Sequence, residues 1–371
     1  MEYQAFVGMD VHKETISLAV AEPGRDGEVR NLGVITNTPE LIAKTVQRLI
    51  KRYGVVEFAY EAGPCGYVIH RQLESLECEC RIVAPSRTPK RPGERIKNDT
   101  RDAALLARHL RSGDLSYVWV PDEIHEAMRD LTRARQIAAN DVRTCRARIQ
   151  TFLLKHGRRY DRKRWGYRHR EWLANQSFDH CSQQIAFQSY INALEQAESR
   201  KGELEKQIAE LVPAWSLGPI VHALQALKGI GLVIAATLVA EVGDFRRFTK
   251  PRQLMAFLGL VPGEHSSGAN IRQRGITKTG NSPVRALLFE AAWCYRTRPK
   301  VGSWMWARQP DIEQEIKDIS WKAQIRLCSR YRRLVARGKK SSVATTAVAR
   351  ELVGFIWDIA TRVTPVDCAA R

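Results

Sequence analysis

Lys97-Asn98-Asp99-Thr100-Arg101-Asp102-Ala103-Ala104-Leu105-Leu106-Ala107-Arg108 reads as the opening turns of a helix. Asn98 or Asp99 can cap it, and an Ala/Leu run follows. Asp99 and Asp102 are three residues apart, so both carboxylates project from one face of the first turn. Acidic side chains also suit the positive end of a helix dipole, so a charge-decorated helix start is the plain reading of the segment alone. What lies upstream changes that reading.

Ala5 to Asp10 is a short apolar strand ending in an acid, and Thr15 to Ala21 alternates with period two, so the pair predicts a hairpin. Val29 to Thr36 supplies a third strand. Thr38 to Tyr53 predicts a helix with Leu41, Val46, Leu49 and Ile50 as its apolar stripe. Val55 to Glu61 is another strand ending in an acid, Tyr67 to Leu76 is helical, and Cys80 to Pro85 is the last strand. In open α/β sheets ligands sit at the carboxyl ends of strands. Asp10, Glu61, Asp99 and Asp102 are therefore expected to converge at one edge. Converging carboxylates repel one another and call for cations, and hard oxygen donors suit Mg²⁺ or Mn²⁺. Two such ions can clamp the attacking and leaving oxygens of a phosphodiester.

Gly8-Met9-Asp10-Val11-His12-Lys13, Glu61-Ala62-Gly63 and Lys97-Asn98-Asp99-Thr100-Arg101-Asp102-Ala103 resemble the RuvC-like domain of the DEDD transposases of insertion-sequence family 110. That group includes Piv-type invertases and bridge-RNA-guided recombinases. The resemblance implies an α/β ribonuclease-H-like N-terminal domain with Asp10, Glu61, Asp99 and Asp102 as catalytic, metal-binding residues. The loop before the helix carries Arg87, Lys90, Arg91, Arg95 and Lys97, which beside a phosphate-cleaving centre are expected to track a nucleic-acid backbone.

The pattern divides the chain into three regions, and the resemblance names the outer two: a RuvC-like domain over 1–121, a helical coiled-coil region over 122–215, and a mainly helical transposase domain over 216–371. Residues 143–170 hold eleven Lys/Arg opposed by Asp161 alone. Arg158, Arg159, Arg162, Lys163 and Arg164 cluster there, interleaved with Tyr160, Trp165, Tyr167 and Trp172. Basic residues among aromatics suit structured or single-stranded RNA through phosphate pairing and base stacking. Two long amphipathic helices joined by this segment predict an antiparallel hairpin, which can equally serve a protein contact.

Ala226 to Ala236, with its Gly229-Ile230-Gly231 turn, resembles a helix-hairpin-helix element whose backbone amides suit a phosphate. Leu258-Gly259-Leu260-Val261-Pro262, then His265-Ser266-Ser267-Gly268, then Gly275-Ile276-Thr277-Lys278-Thr279-Gly280-Asn281 resembles the transposase domain of the same family, in which a serine is the nucleophile. Spacing to Lys278 favours Ser266, whereas adjacency to Gly268 favours Ser267; Ser266 is the expected nucleophile and Ser267 the runner-up. Arg272, Arg274 and Lys278 are expected to meet nucleic acid and to offset charge on a phosphate. No residue nearby is an obvious general base, and His265 adjoins the serine too closely to point well at it.

The chain of 371 residues carries 59 Lys+Arg against 40 Asp+Glu, a formal net charge of +19, which points to a polyanionic partner. No apolar run reaches membrane-spanning length and no basic-then-apolar leader is visible. The eight cysteines are scattered without a C-x-x-C pair, as expected of a reducing cytoplasm and of neither a zinc site nor a disulfide framework. The resemblance implies a bacterial or archaeal, nucleoid-associated recombinase acting on donor and target DNA. It further implies a guide (bridge) RNA, and a homo-oligomer, dimer or tetramer, whose sites combine the acidic domain of one subunit with the serine domain of another. The alternative is a junction-resolving nuclease using the same acids with water. An actin-like ATPase is disfavoured by His12, where its phosphate loop wants glycine, and a purely structural RNA-binding protein has no use for four converging acids.

Overall fold

The structure is a computed structural model that describes residues 3–89, 98–264 and 273–365. It divides into two compact units, residues 1–120 and 121–371.

The first unit is built on a five-stranded mixed sheet. Its strands are β1 (Ala5–Val11), β2 (Thr15–Ala21), β3 (Val29–Thr36), β4 (Val56–Glu61) and β5 (Glu79–Val83), in the spatial order β3-β2-β1-β4-β5. β1 runs antiparallel to β2 and parallel to β4, and β4 runs parallel to β5. Helices α1 (Pro39–Tyr53), α2 (Val68–Ser75) and α3 (Asp99–Ser112) complete it. Asp10 lies inside β1, one residue before its end, whereas Glu61 terminates β4 as the alternation predicts.

The period-two alternation sorts the sheet into two faces. Val7, Met9, Ile16, Leu18, Val20, Phe58, Tyr60, Cys80 and Ile82 join one core with Ile42, Val46 and Leu49 of α1 and Ile69 and Leu73 of α2. On the opposite face, Ala19 and Ala21 of β2 meet Ala103 and Ala107 of α3. Ala59 of β4 and Val83 of β5 meet Leu106 and Leu110. Small residues on both sides let α3 lie almost against the sheet. Gly8 is the extreme case: a Cβ there would stand 2.2 Å from the Ala103 carbonyl oxygen and 2.5 Å from the Ala107 nitrogen. The helix is capped as the sequence predicts, since the Asn98 side chain accepts from the Thr100 amide at 3.1 Å.

The second unit is helical. α4 (Glu123–Lys155) and α6 (Cys181–Leu211) form the predicted antiparallel hairpin, joined across α5 (Tyr167–Ala174). Arg146–Glu198 and Arg200–Asp141 pairs cross the hairpin at 2.7 and 3.1 Å, and Arg135 also pairs with Glu205. Then follow α7 (Gly218–Leu224), α8 (Leu232–Val242), α9 (Pro251–Phe257), the short antiparallel pair β6 (Pro262–Glu264) and β7 (Gln273–Ile276), α10 (Ser282–Ala292), α11 (Ser303–Trp306), α12 (Gln314–Ala336) and α13 (Ser341–Arg362). Met128 of α4, with Ile208 and Val212 at the far end of α6, shares one core with α8, α10, α12 and α13. The hairpin tip has a core of its own around Ile149, Leu153, Leu173 and Phe187.

The contact at Gly8 gives a stability test. Gly8→Ala pushes a methyl into helix backbone, so it is expected to cost roughly 1–3 kcal/mol, as overpacking does. Chemical denaturation followed by circular dichroism measures it. An unchanged midpoint would mean that α3 is free to lift.

Candidate active site

Two matched spacings bring Asp10 and Asp99 together and carry Asp102 toward Asp10. Along β1, Gly8 and Asp10 share a face and stand about 6.6 Å apart. Along α3, Ala103 and Asp99 lie on one stripe about 6 Å apart. Ala103 sits over Gly8, so stepping toward the end of the strand and the start of the helix carries Asp10 and Asp99 to the same place. The neighbouring stripe repeats the arrangement: Leu106 packs with Ala59, and one step further lie Asp102 on the helix and Glu61 on β4. The D-x-x-D spacing is therefore what a helix needs to serve two adjacent strands. Glu61 and Asp10 lie one residue beyond the registered pair Met9↔Tyr60.

The residue that sequence reasoning missed as part of this centre is His12. Its Nε2 lies 3.4 Å from Asp10 Oδ2 and 3.6 Å from Asp99 Oδ2. Asp10, His12 and Asp99 form the group of potential ligands whose donor atoms lie within 4.8 Å of one another among the described residues. His12 follows Asp10 by two residues just past the end of β1, a spacing that gains meaning only once the start of α3 is seen to meet it. Glu61 is exposed and accepts a hydrogen bond from the Thr88 hydroxyl at 2.8 Å. Asp102 is half-buried and acts on Asp10 through space.

Burial lifts the Asp10 carboxyl above its ordinary range. His12 opposes this, while the charges of Asp99 and Asp102 push the same way as burial. The cluster thus carries negative charge that its own side chains leave under-compensated, although the N-terminus of α3 contributes some positive potential. A set of carboxylate oxygens with such an excess fits a hard divalent cation.

Of the basic loop, Arg87 is exposed, while Lys90, Arg91, Arg95 and Lys97 lie outside the described residues. At the hairpin tip the expected contact residues divide. Arg159, Arg162 and Lys163 are exposed. Arg158 is engaged internally: it donates to Gln176 at 3.0 Å and to the Ser177 carbonyl, and covers the Phe178 ring at 4.1 Å. Arg164 is exposed and donates to Gln150 at 3.3 Å. The aromatics expected to stack on bases are largely spent on the tip's own packing. Trp165 holds a left-handed backbone (φ 65°) and carries Arg146 over its ring at 4.9 Å, and Tyr160 and Trp172 pack on His169. Tyr167, 82% exposed, is the exception. The physical reason is length: a tip this far from the main core needs an apolar centre of its own. Arg143, Arg146, Arg170, Lys201, Glu198 and Trp165 line a cleft of about 710 Å³ beside it.

Ser266, Ser267, His265 and Arg272 lie outside the described residues, in the connection between Glu264 and Gln273, whose backbones pair. The adjoining Thr277–Gly280 turn is clamped. A Cβ on Gly280 would stand 2.0 Å from the Phe257 carbonyl oxygen, and Arg285 donates to the carbonyls of both Leu258 and Thr279 at 3.0 and 2.9 Å. Lys278 is held at φ 57° with its side chain exposed, as is that of Arg274. Asn281 caps α10 and donates at 2.7 Å to Glu241 of α8, which also receives Arg133 of α4. In the Gly229–Gly231 turn, Gly229 (φ 86°) packs against the Ala291 carbonyl and Gly231 caps α8.

Comparison with known proteins gives two family matches. A DEDD transposase model of the IS110 type matches residues 7–157, and a model described as the transposase IS116/IS110/IS902 family matches residues 221–304. The chain is 50% identical over 358 residues to the putative transposase y4qE of Sinorhizobium fredii, covering 96% of this chain and 88% of that one. It is 30% identical over 350 residues to the transposase for insertion sequence element IS1533 of Leptospira borgpetersenii, covering 92% and 99%. A shorter match, 45% identical over 69 residues and 19% of each chain, is to the transposase for IS1111A of Coxiella burnetii. These matches define a transposase. The chain belongs to the IS110 family (IS116/IS110/IS902), and a transposase acts on DNA. Among the described residues no helix is long and apolar enough to cross a membrane.

The raised Asp10 pKa, held up chiefly by burial, sets a pH signature. A carboxyl whose folded value lies above its unfolded one stabilises the fold below the unfolded value and loses that contribution as pH rises through the folded value. Asp10→Asn is therefore expected to raise the metal-free melting temperature at pH 7, with the advantage fading in acid. Mn²⁺ at a hundred times its dissociation constant should stabilise the wild type by about 2.7 kcal/mol and the variant far less. Calorimetry with and without Mn²⁺ decides both.

Proposed function

We propose that the chain is the site-specific recombinase of a mobile element, with Asp10, Glu61, Asp99 and Asp102 as its metal-binding catalytic set and Ser266 or Ser267 as nucleophile. The observation that carries this reading is the seating of the first turn of α3 against the ends of β1 and β4, which gathers acids far apart in sequence. The β3-β2-β1-β4-β5 order supports a ribonuclease-H-like, RuvC-like fold for residues 1–121.

Mg²⁺ or Mn²⁺ bound by these carboxylates supplies positive charge against the scissile phosphate. The serine Oγ attacks phosphorus, the bond from phosphorus to the 3′ oxygen breaks, and that oxygen leaves as a 3′ hydroxyl after gaining a proton. The protein is then joined to DNA through a serine phosphodiester. Attack by the 3′ hydroxyl of the exchanged strand re-forms DNA and returns the proton to serine. The number of phosphodiester bonds is conserved, so no ATP is consumed. Arg274 and Lys278, exposed beside the serine segment, are suited to grip the backbone there. A homo-oligomer brings donor and target together.

The exposed Arg159, Arg162 and Lys163 and the cationic cleft support binding of a structured guide RNA whose pairing selects the DNA sites, with the protein reading backbone and shape. The competing reading, a junction-resolving nuclease, uses water in place of the serine.

Protein expressed with the DNA flanking its gene, trapped and mapped by mass spectrometry, tests the mechanism. An adduct on Ser266 or Ser267 that Asp10→Ala abolishes is expected. Cleavage without an adduct, unaffected by Ser266→Ala and Ser267→Ala together, would replace recombinase by nuclease. For the tip, Arg159→Ala, Arg162→Ala and Lys163→Ala combined should flatten the dependence of log affinity on log salt by about 0.7–0.9 for each phosphate no longer neutralised, without altering stability. Arg158→Ala should instead lower the stability of the tip.

A further inference from the structure

We infer that His12 is a nitrogen ligand in the acidic centre, making it a mixed nitrogen–oxygen site that favours Mn²⁺ over Mg²⁺. This rests on the proposed cation site and adds to it a donor outside the four carboxylates.

The distances are the first ground. His12 Nε2 stands 3.4 Å from Asp10 Oδ2 and 3.6 Å from Asp99 Oδ2. Both are longer than a good N–H···O hydrogen bond, which lies at about 2.7–3.2 Å. Around one octahedral ion, donors each about 2.1 Å away stand roughly 3.0 Å apart. The imidazole thus faces two carboxylates within about half an ångström of the separation of co-ligands.

The second ground is how firmly His12 is presented. Its amide donates to the Thr15 carbonyl at 2.9 Å, closing the β1–β2 connection, and its carbonyl accepts from the Asn37 side chain at 2.8 Å. The backbone is pinned on both sides, while the ring, 52% exposed, lies over the acids. A histidine kept for packing would be buried, and one free in solvent would not be pinned over two carboxylates from different elements.

The chemical consequence follows from donor type. Mg²⁺ takes oxygen and holds its waters, whereas an imidazole donor suits first-row ions; Mn²⁺ shares the oxygen preference of Mg²⁺ but stands at the foot of the first-row affinity order, so one nitrogen donor tips the site toward it. Losing even an outer partner of a metal ligand costs 10–100-fold in affinity, so losing a ligand should cost at least about tenfold.

The test uses the full-length chain with Mn²⁺ alone. Pulsed electron paramagnetic resonance should show ¹⁴N modulation of the bound Mn²⁺, replaced by a ¹⁵N pattern when the protein is labelled with ¹⁵N-imidazole histidine. His12→Ala, and His12→Gln as the milder variant, should remove the nitrogen coupling, weaken Mn²⁺ at least tenfold, and leave Mg²⁺ affinity nearly unchanged. Bound Mn²⁺ without nitrogen coupling in the wild type, or coupling and affinity unchanged in both variants, would overturn the role of His12 alone. Failure of the wild type to bind Mn²⁺, or binding unaffected by Asp10→Asn combined with Asp99→Asn, would overturn the cation site itself.

Discussion

The close approach of α3 to β1 at Gly8 is the constraint on which the candidate active site depends. With no Cβ at position 8, the backbone of the helix rests on the strand, and Ala103 and Ala107 keep it there. The rise of a strand over two residues and of a helix over four is nearly equal. From that contact the geometry runs outward without further choice: Asp99 follows Ala103 as Asp10 follows Gly8, and Asp102 follows Leu106 as Glu61 follows Ala59. A larger residue at position 8 would lift the helix and open the cluster while leaving every acid in the sequence.

The same arrangement is electrostatically costly. Asp10 is only 24% exposed and has Asp99 and Asp102 for neighbours, so its charge is disfavoured by burial and by repulsion alike. Proteins keep such groups at sites where the charge is used, and accept a lower stability there. The positive end of α3 and the His12 ring moderate the repulsion locally. A divalent cation would reverse its sign.

Much of the first unit was legible from alternation and capping. Asp10, Glu61 and the Asn98 cap are each placed by periodicity of two or by helix-start chemistry, and the helix over Pro39–Tyr53 by its apolar stripe. His12 was legible in principle, but as a lone histidine after a strand it carries no signal until a second element, the start of α3, is known to meet it. The internal packing of the aromatics at the hairpin tip was not legible for a related reason. Composition shows that Tyr160, Trp165 and Trp172 sit among arginines, but not that they turn inward to build a small core. Arg158 likewise looks no different from Arg159 in sequence, and only the fold shows that one of them is fastened to Gln176 and Ser177. Ser266 and Ser267 lie outside the described residues, so the choice between them rests on motif spacing.

The central claim is that the acids at the start of α3 and the end of β1 hold a divalent cation. Diffraction from crystals grown with Mn²⁺, with anomalous data collected at the manganese edge, addresses it directly. The account predicts an anomalous peak where the ends of β1 and β4 meet the first turn of α3, in contact with Asp10 and Asp99. Manganese bound elsewhere, with that position vacant at saturating metal, would contradict it.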